Sequence, residues 1–244
     1  MIDLIVSLYN LFVYQPLLNS LVLLYEFLPW RDLGVAVIAL TLLVRVLLFP
    51  LNSQAFRAQK KLQLLQPKLQ DLQKRLAHDK EKQVAETLAL YKTEGISPFA
   101  GFLPLLIQIP LLIALYQLFF VFGAKDGLQT ATLQLLYPFV SPPGNINPVF
   151  LGVVNLSTGW VASAALAVVA GALQFVQTRQ ALPKKPLAGD AVSPFMKAFQ
   201  QQATYLFPLV TVFILFRLPA AVGLYWATTT LFSIWQQGRI LKKS

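Results

Sequence analysis

The sequence contains no cysteine and one histidine, His78, so neither a disulfide framework nor a thiolate metal site can be drawn, and a lone imidazole has no companion ligands. No metal and no cofactor are expected. Charge is also scarce: 12% of the 244 residues are Asp, Glu, Lys or Arg, where a soluble domain carries about 25%, while 56% are hydrophobic. No Lys or Arg precedes Arg31, so residues 1–30 lack the basic start of a secretory signal and the Arg-rich character of a transit peptide, and no cleavable segment is expected among them. A soluble fold could not hide this much apolar surface. The composition describes an all-α membrane protein.

What charge there is lies in blocks. Residues 1–32 are apolar but broken by Asn10, Gln15, Pro16 and Asn19, and are read as an N-terminal interfacial segment, with an extra span as the alternative. The first clear transmembrane segment is 33–51, in which thirteen of nineteen residues are Val, Ile, Leu or Phe. At about −0.3 to −0.6 kcal/mol each, they outweigh the roughly +3 kcal/mol of Arg45 within the same helix. Residues 52–97 hold nine Lys or Arg and five Asp or Glu, with Leu62, Leu65, Leu69, Leu72 and Leu76 at spacings of three and four. They predict an amphipathic helix, a turn at 77–80 and a second helix, together a hairpin outside the membrane. Ser97-Pro98 opens the second span, 98–122, with a cap residue and a proline where its missing N–H costs nothing. An external loop, 123–157, leads to a third span, 158–177. A second polar loop, 178–202, precedes an apolar block divided at Arg217-Leu218-Pro219 into spans 203–218 and 219–237, and a short tail, 238–244, follows.

Sixteen of the twenty Lys and Arg fall in 52–97, 178–202 and 238–244, nine, four and three respectively, all on one side of a five-span chain. The positive-inside rule then places the N-terminus outside and the C-terminus in the cytoplasm. None of the proposed spans contains Asp or Glu, so Arg45 has no acidic partner within them. Either it snorkels to the headgroups, or a hydrated pocket open to the cytoplasm receives it. The polar residues that could line such a pocket are Thr41, one turn before Arg45; Gln108; Gln174 and Gln177; and Thr229 and Ser233, at helical spacing after Trp226. Each taken singly also fits an ordinary interhelical hydrogen bond.

Several stretches carry a resemblance. They are Thr41-Leu-Leu-Val-Arg45-Val-Leu-Leu-Phe-Pro50-Leu51, Leu65-Gln66-Pro67-Lys68, Leu90-Tyr91-Lys92, Ser97-Pro98 leading into Leu103-Pro104-Leu105-Leu106-Ile107-Gln108-Ile109-Pro110, and Leu218-Pro219-Ala220-Ala221-Val222-Gly223-Leu224-Tyr225-Trp226. Taken together they make the chain similar to the YidC/Oxa/Alb membrane protein insertases over nearly its whole length. The resemblance implies five transmembrane helices around a hydrophilic groove open to the cytoplasm and to lipid, with the cytoplasmic helical hairpin beside it. It places Arg45 at the family's groove arginine, and Thr41, Tyr225 and Trp226 at positions that line the groove or contact substrate. Gln174 or Gln177 falls at a groove glutamine. Against the larger bacterial members, the expectation is of no N-terminal anchor helix, no large periplasmic domain and only seven residues after Gln237.

The function so implied is that of an insertase and chaperone in a bacterial inner membrane, helping newly made membrane proteins into the bilayer without catalysing any bond chemistry. Its implied partners are nascent membrane proteins and the lipid bilayer, with the ribosome and the Sec translocon as candidates and no direct nucleic-acid contact beyond ribosomal RNA. The alternative is a small anion transporter or channel, because a lone intramembrane Arg can hold an anion. Against that alternative, no membrane carboxylate is present for ion coupling and no paired, broken segments mark an internal repeat.

Overall fold

The structure, a computed structural model, describes residues 2–28, 31–95, 103–122, 130–144, 146–157, 160–181 and 202–242. The Ser97-Pro98 cap, Lys125 and most of the loop 178–202 lie outside the described residues.

The chain opens with α1 (Ile2–Tyr9), one π turn (Asn10–Tyr14) and α2 (Gln15–Phe27), continuous as a helix of 25 residues from Asp3 to Phe27. Pro16 explains the π turn. A proline in the second residue of α2 has no N–H to donate and would press on the carbonyl four residues earlier, and a wider turn relieves both problems. The same device recurs later, where a π turn (Gln202–Leu206) leads into a helix with Pro208 in its first turn.

Asp32 starts α3 (Leu33–Leu47), its Oδ1 accepting from the Val35 N–H at 3.0 Å. Its other carboxylate oxygen accepts from the Leu151 N–H at 2.6 Å. This second bond ties the start of α3 to a two-residue ribbon, β1 (Val149–Phe150) paired antiparallel with β2 (Val154–Asn155), with Leu151 and Gly152 at positive φ in its turn. The ribbon is a small departure from an all-α chain. The Phe150 ring lies on Gly34, where a Cβ would come within 2.2 Å of it. Nearby, buried Asn19 of α2 accepts from the Tyr137 N–H at 2.6 Å and donates to the Leu135 carbonyl at 3.0 Å, pinning the preceding loop.

The sequence reading carries the first span to residue 51, but α3 ends at Leu47 and α4 (Phe49–Arg75) begins at once, bent from α3 by 64°. Pro50 is the physical reason. It cannot donate to the carbonyl of Val46, so the helix yields there. After the turn 76–79, Asp79 caps α5 (Lys80–Thr93) by accepting from the Lys82 N–H at 3.0 Å. Lys68 of α4 pairs with Glu94 at 2.6 Å, and α5 buries no residue. Next come α6 (Leu103–Phe122), the short α7 (Thr130–Leu133), α8 (Trp160–Ala181), α9 (Phe207–Phe216) and α10 (Ala220–Lys242).

The core gathers around α10, which packs on α3, α8, α4 and α6, while α9 packs on α8. Small residues set those distances: a Cβ on Gly171 of α8 would sit 2.3 Å from Val212 Cγ2, and one on Gly223 of α10 would sit 2.9 Å from Leu166. By length and composition, Asp3–Phe27 and Trp160–Ala181 can cross a membrane, and α3 with α4 makes a third candidate if the bent pair is one span. The N-terminal segment, read from the sequence as interfacial, is therefore also long and apolar enough to span. Gln108–Phe122, within α6, and Thr204–Phe216, from the π turn through α9, are shorter apolar stretches among the residues whose side chains are described.

Candidate functional site: a polar cavity beside Arg45

Arg45 lies in the last turn of α3 and is only 9% exposed. A guanidinium cannot be buried without acceptors, and two uncharged ones meet it. Its Nε donates to Thr229 Oγ1 of α10 at 2.9 Å, and its Nη2 donates to Gln108 Oε1 of α6 at 3.1 Å. Gln108 in turn donates through Nε2 to the Tyr225 hydroxyl. Three helices far apart in sequence are thus joined through one cation.

Beside this network is a cavity of about 310 Å³, walled by Arg45, Gln108, Gln174, Gln177, Trp226, Thr229 and Ser233, together with Asn52, Phe56 and Thr230. Trp226 Nε1 donates across to Gln174 Oε1 at 3.1 Å, joining α10 to α8. Ser233 and Thr230 turn their hydroxyls back to the carbonyls of Thr229 and Trp226 on their own helix, at 2.9 and 2.8 Å.

Seven of the nine residues singled out in the sequence therefore share one wall, and two do not. Thr41, 2% exposed, donates to the Val37 carbonyl at 2.6 Å within α3, and Tyr225, also 2% exposed, stands behind Gln108 as its acceptor. For Thr41 the reason is the choice of partner: a buried Thr in a helix has the i−4 carbonyl always within reach. Asn52 and Phe56 escape a reading of the sequence because a span boundary at residue 51 assigns them to the hairpin. The bend at Leu48 turns the first two turns of α4 toward the cavity. The one available signal is Pro50, which marks a helix start better than a helix middle.

Below the cavity the contacts remain polar. Gln236 donates to the Phe49 carbonyl and to Ser53 Oγ, both at 2.9 Å, and Gln237 reaches Gln59 at 3.5 Å. Asn52 Nδ2, Gln236 Oε1 and Gln237 Oε1 are buried without a hydrogen-bond partner among the described residues.

The family described as 60Kd inner membrane protein matches residues 23–244, from within α2 to the end of the chain. The chain belongs to that family. Every helix bordering the cavity falls inside the 60Kd inner membrane protein match. Among similar proteins is one named membrane protein insertase YidC from Cellvibrio japonicus, 33% identical over 224 residues, which make up 91% of this chain and 34% of that one. Proteins of the same name from Fusobacterium nucleatum (28% identical, 87% of each chain) and Oceanobacillus iheyensis (30% identical, 83% of this chain and 72% of the other) are covered over most of their length. The chain thus spans about a third of some 60Kd family relatives, such as those of Cellvibrio japonicus and Syntrophus aciditrophicus, and most of others.

Proposed function

We propose that this protein is a membrane protein insertase of a bacterial inner membrane, and that the cavity beside Arg45 is its working site. The observation that carries this reading is a nearly buried cation held by two neutral side chains on the wall of a polar cavity. Two of the five N–H donors of Arg45 are engaged by Thr229 and Gln108. The others, which meet no acceptor among the described residues, can attract the acidic, translocated end of a nascent membrane protein. Buried amide groups without partners at Asn52, Gln236 and Gln237 cost free energy unless hydrated, which favours a wet groove reaching toward the cytoplasm.

In this reading α3, α6, α8, α9 and α10 are the five spans, and the hairpin α4–α5 stands in the cytoplasm with the C-terminus, as the distribution of Lys and Arg requires. The apolar block 203–218, bounded by Arg217-Leu218-Pro219, covers about 24 Å as a helix, less than the roughly 30 Å of a hydrocarbon core, so the bilayer thins beside it. A wet groove and a thin bilayer shorten the path of a polar segment. Release follows as the client's apolar helix partitions into lipid, at about 0.3 to 0.6 kcal/mol for each strongly apolar residue. No bond is made or broken, and no cofactor is required.

Liposomes containing the purified protein provide the test. Insertion of a short single-span client without anion flux supports an insertase. Anion flux without insertion sinks this reading in favour of a transporter.

A further inference from the structure

The face of α10 that turns away from Arg45 has a cleft of its own. On a helix, Thr228, Leu231, Trp235 and Arg239 follow one another at spacings of three and four, opposite Trp226, Thr229 and Ser233. Ile38 and Leu42 of α3 form one side and Val169 and Leu173 of α8 the other, bordering an open cleft of about 620 Å³. The Thr228 hydroxyl donates to the Leu224 carbonyl at 2.8 Å, so the wall presents hydrocarbon and aromatic ring. Nothing among the described residues covers it: Leu42 is 40% exposed, Val169 48%, Leu231 58% and Trp235 45%.

Shape restricts the occupant. The cleft is an open apolar groove about 12 Å long from Ala227 to Trp235 along α10, a form that suits a hydrocarbon chain lying along the helix.

Polarity restricts it further. At the end nearest α4, Trp235 packs on Phe232 at 5.2 Å and on Phe49 at 6.4 Å between ring centroids, and the Arg239 guanidinium lies 4.5 Å over the Trp235 ring. A guanidinium stacked by its face keeps N–H donors in its plane for an oxyanion. Apolar cleft, amphipathic indole and fixed cation follow one another in the order of acyl chain, interface and phosphate.

We propose that this cleft is a binding site for an anionic glycerophospholipid of the cytoplasmic leaflet, with an acyl chain between α3 and α8 and the phosphate on Arg239. The site rests on the membrane placement given above, but it is separate from the groove and does not depend on the client.

Brominated lipids test it through tryptophan quenching, with the protein in vesicles of equal parts phosphatidylcholine and phosphatidylglycerol and bromine on the acyl chains of only one lipid at a time. The Trp235 share is the difference between the wild-type chain and Trp235→Phe. Bromine on phosphatidylglycerol is expected to quench that share more strongly, reflecting a preference on the order of fivefold for one cation. Arg239→Gln should erase the preference and Arg239→Lys keep most of it. Equal quenching by both lipids overturns the site, as does a preference that survives Arg239→Gln. Protection of Trp235 from both lipids, with Trp160 still quenched, would mean that another protein segment covers the cleft, which also overturns it. Loss of quenching at every tryptophan would instead sink the membrane placement.

Discussion

Arg45 of α3 donates through Nε to the hydroxyl of Thr229 of α10 at 2.9 Å, across 184 residues of chain. The acceptor is neutral, and so is Gln108, the second partner. A positive charge so nearly buried, with no carboxylate bonded to it among the described residues, costs solvation free energy, and a functional demand for charge is the simplest reason to keep it.

Arg45→Ala should reduce insertion of a client with an acidic translocated segment on the order of tenfold, since a unit charge at about 4 Å contributes roughly 1 to 4 kcal/mol between water and protein surface. A client whose acids have been neutralised should lose much less. Arg45→Lys should keep substantial activity, because charge persists while the second prong of the guanidinium fork is lost. Paired insertion assays read both effects. The melting temperature of Arg45→Ala should stay close to wild type, the loss of two hydrogen bonds being offset by the loss of a desolvated charge. Equal loss for both clients with a much lower melting temperature would make Arg45 structural.

Asp32 joins two parts of the chain through one carboxylate, capping α3 at Val35 and accepting from Leu151 of the β ribbon. Asp32→Ala removes both acceptors and should destabilise by about 2 kcal/mol, while Asp32→Asn, which keeps one acceptor, should lose about half of that. Thermal unfolding in detergent decides it. An unchanged melting temperature for the alanine variant would mean that the ribbon is not held through Asp32.

Gly171 of α8 faces Val212 and Pro208 of α9. A methyl group there would meet Val212 Cγ2 at 2.3 Å and the Pro208 carbonyl at 3.2 Å, one on a stiff β-branched side chain and the other on the backbone. Gly171→Ala should cost about 1 to 3 kcal/mol. Gly144, where a Cβ would meet nothing within 4 Å, is the control, and Gly144→Ala should stay within about 0.5 kcal/mol of wild type. Comparable losses at both positions would argue against the tight α8–α9 contact.

With no cysteine in the chain, single cysteines report sidedness without background. A cysteine in place of Ala77, in the turn between α4 and α5, should react only with reagent on the cytoplasmic side, and one in place of the exposed Ser141 only with reagent outside. Reversed labelling would overturn the orientation drawn from the Lys and Arg distribution.

Sequence alone was enough for whatever depends on composition and local period. The segregation of sixteen cations from the apolar blocks, the helical pattern of 52–97 and the lack of an acid near Arg45 along the chain are all visible in one dimension. The family relation was equally legible, because it rests on runs such as Leu103–Pro110 and Leu218–Trp226. Which polar groups meet was not. Thr41 and Thr229 are each a threonine in an apolar helix, yet one bonds its own backbone and the other holds Arg45, and only the rotation and spacing of packed helices separates the two outcomes. Asn52 and Phe56 reach the cavity because α4 leaves α3 at 64°, an angle set by Pro50 together with the contacts of α10. Side chains 63 to 184 residues apart share one cation because a tertiary fold chooses among many sterically allowed pairings, and that choice leaves no period or motif in the chain.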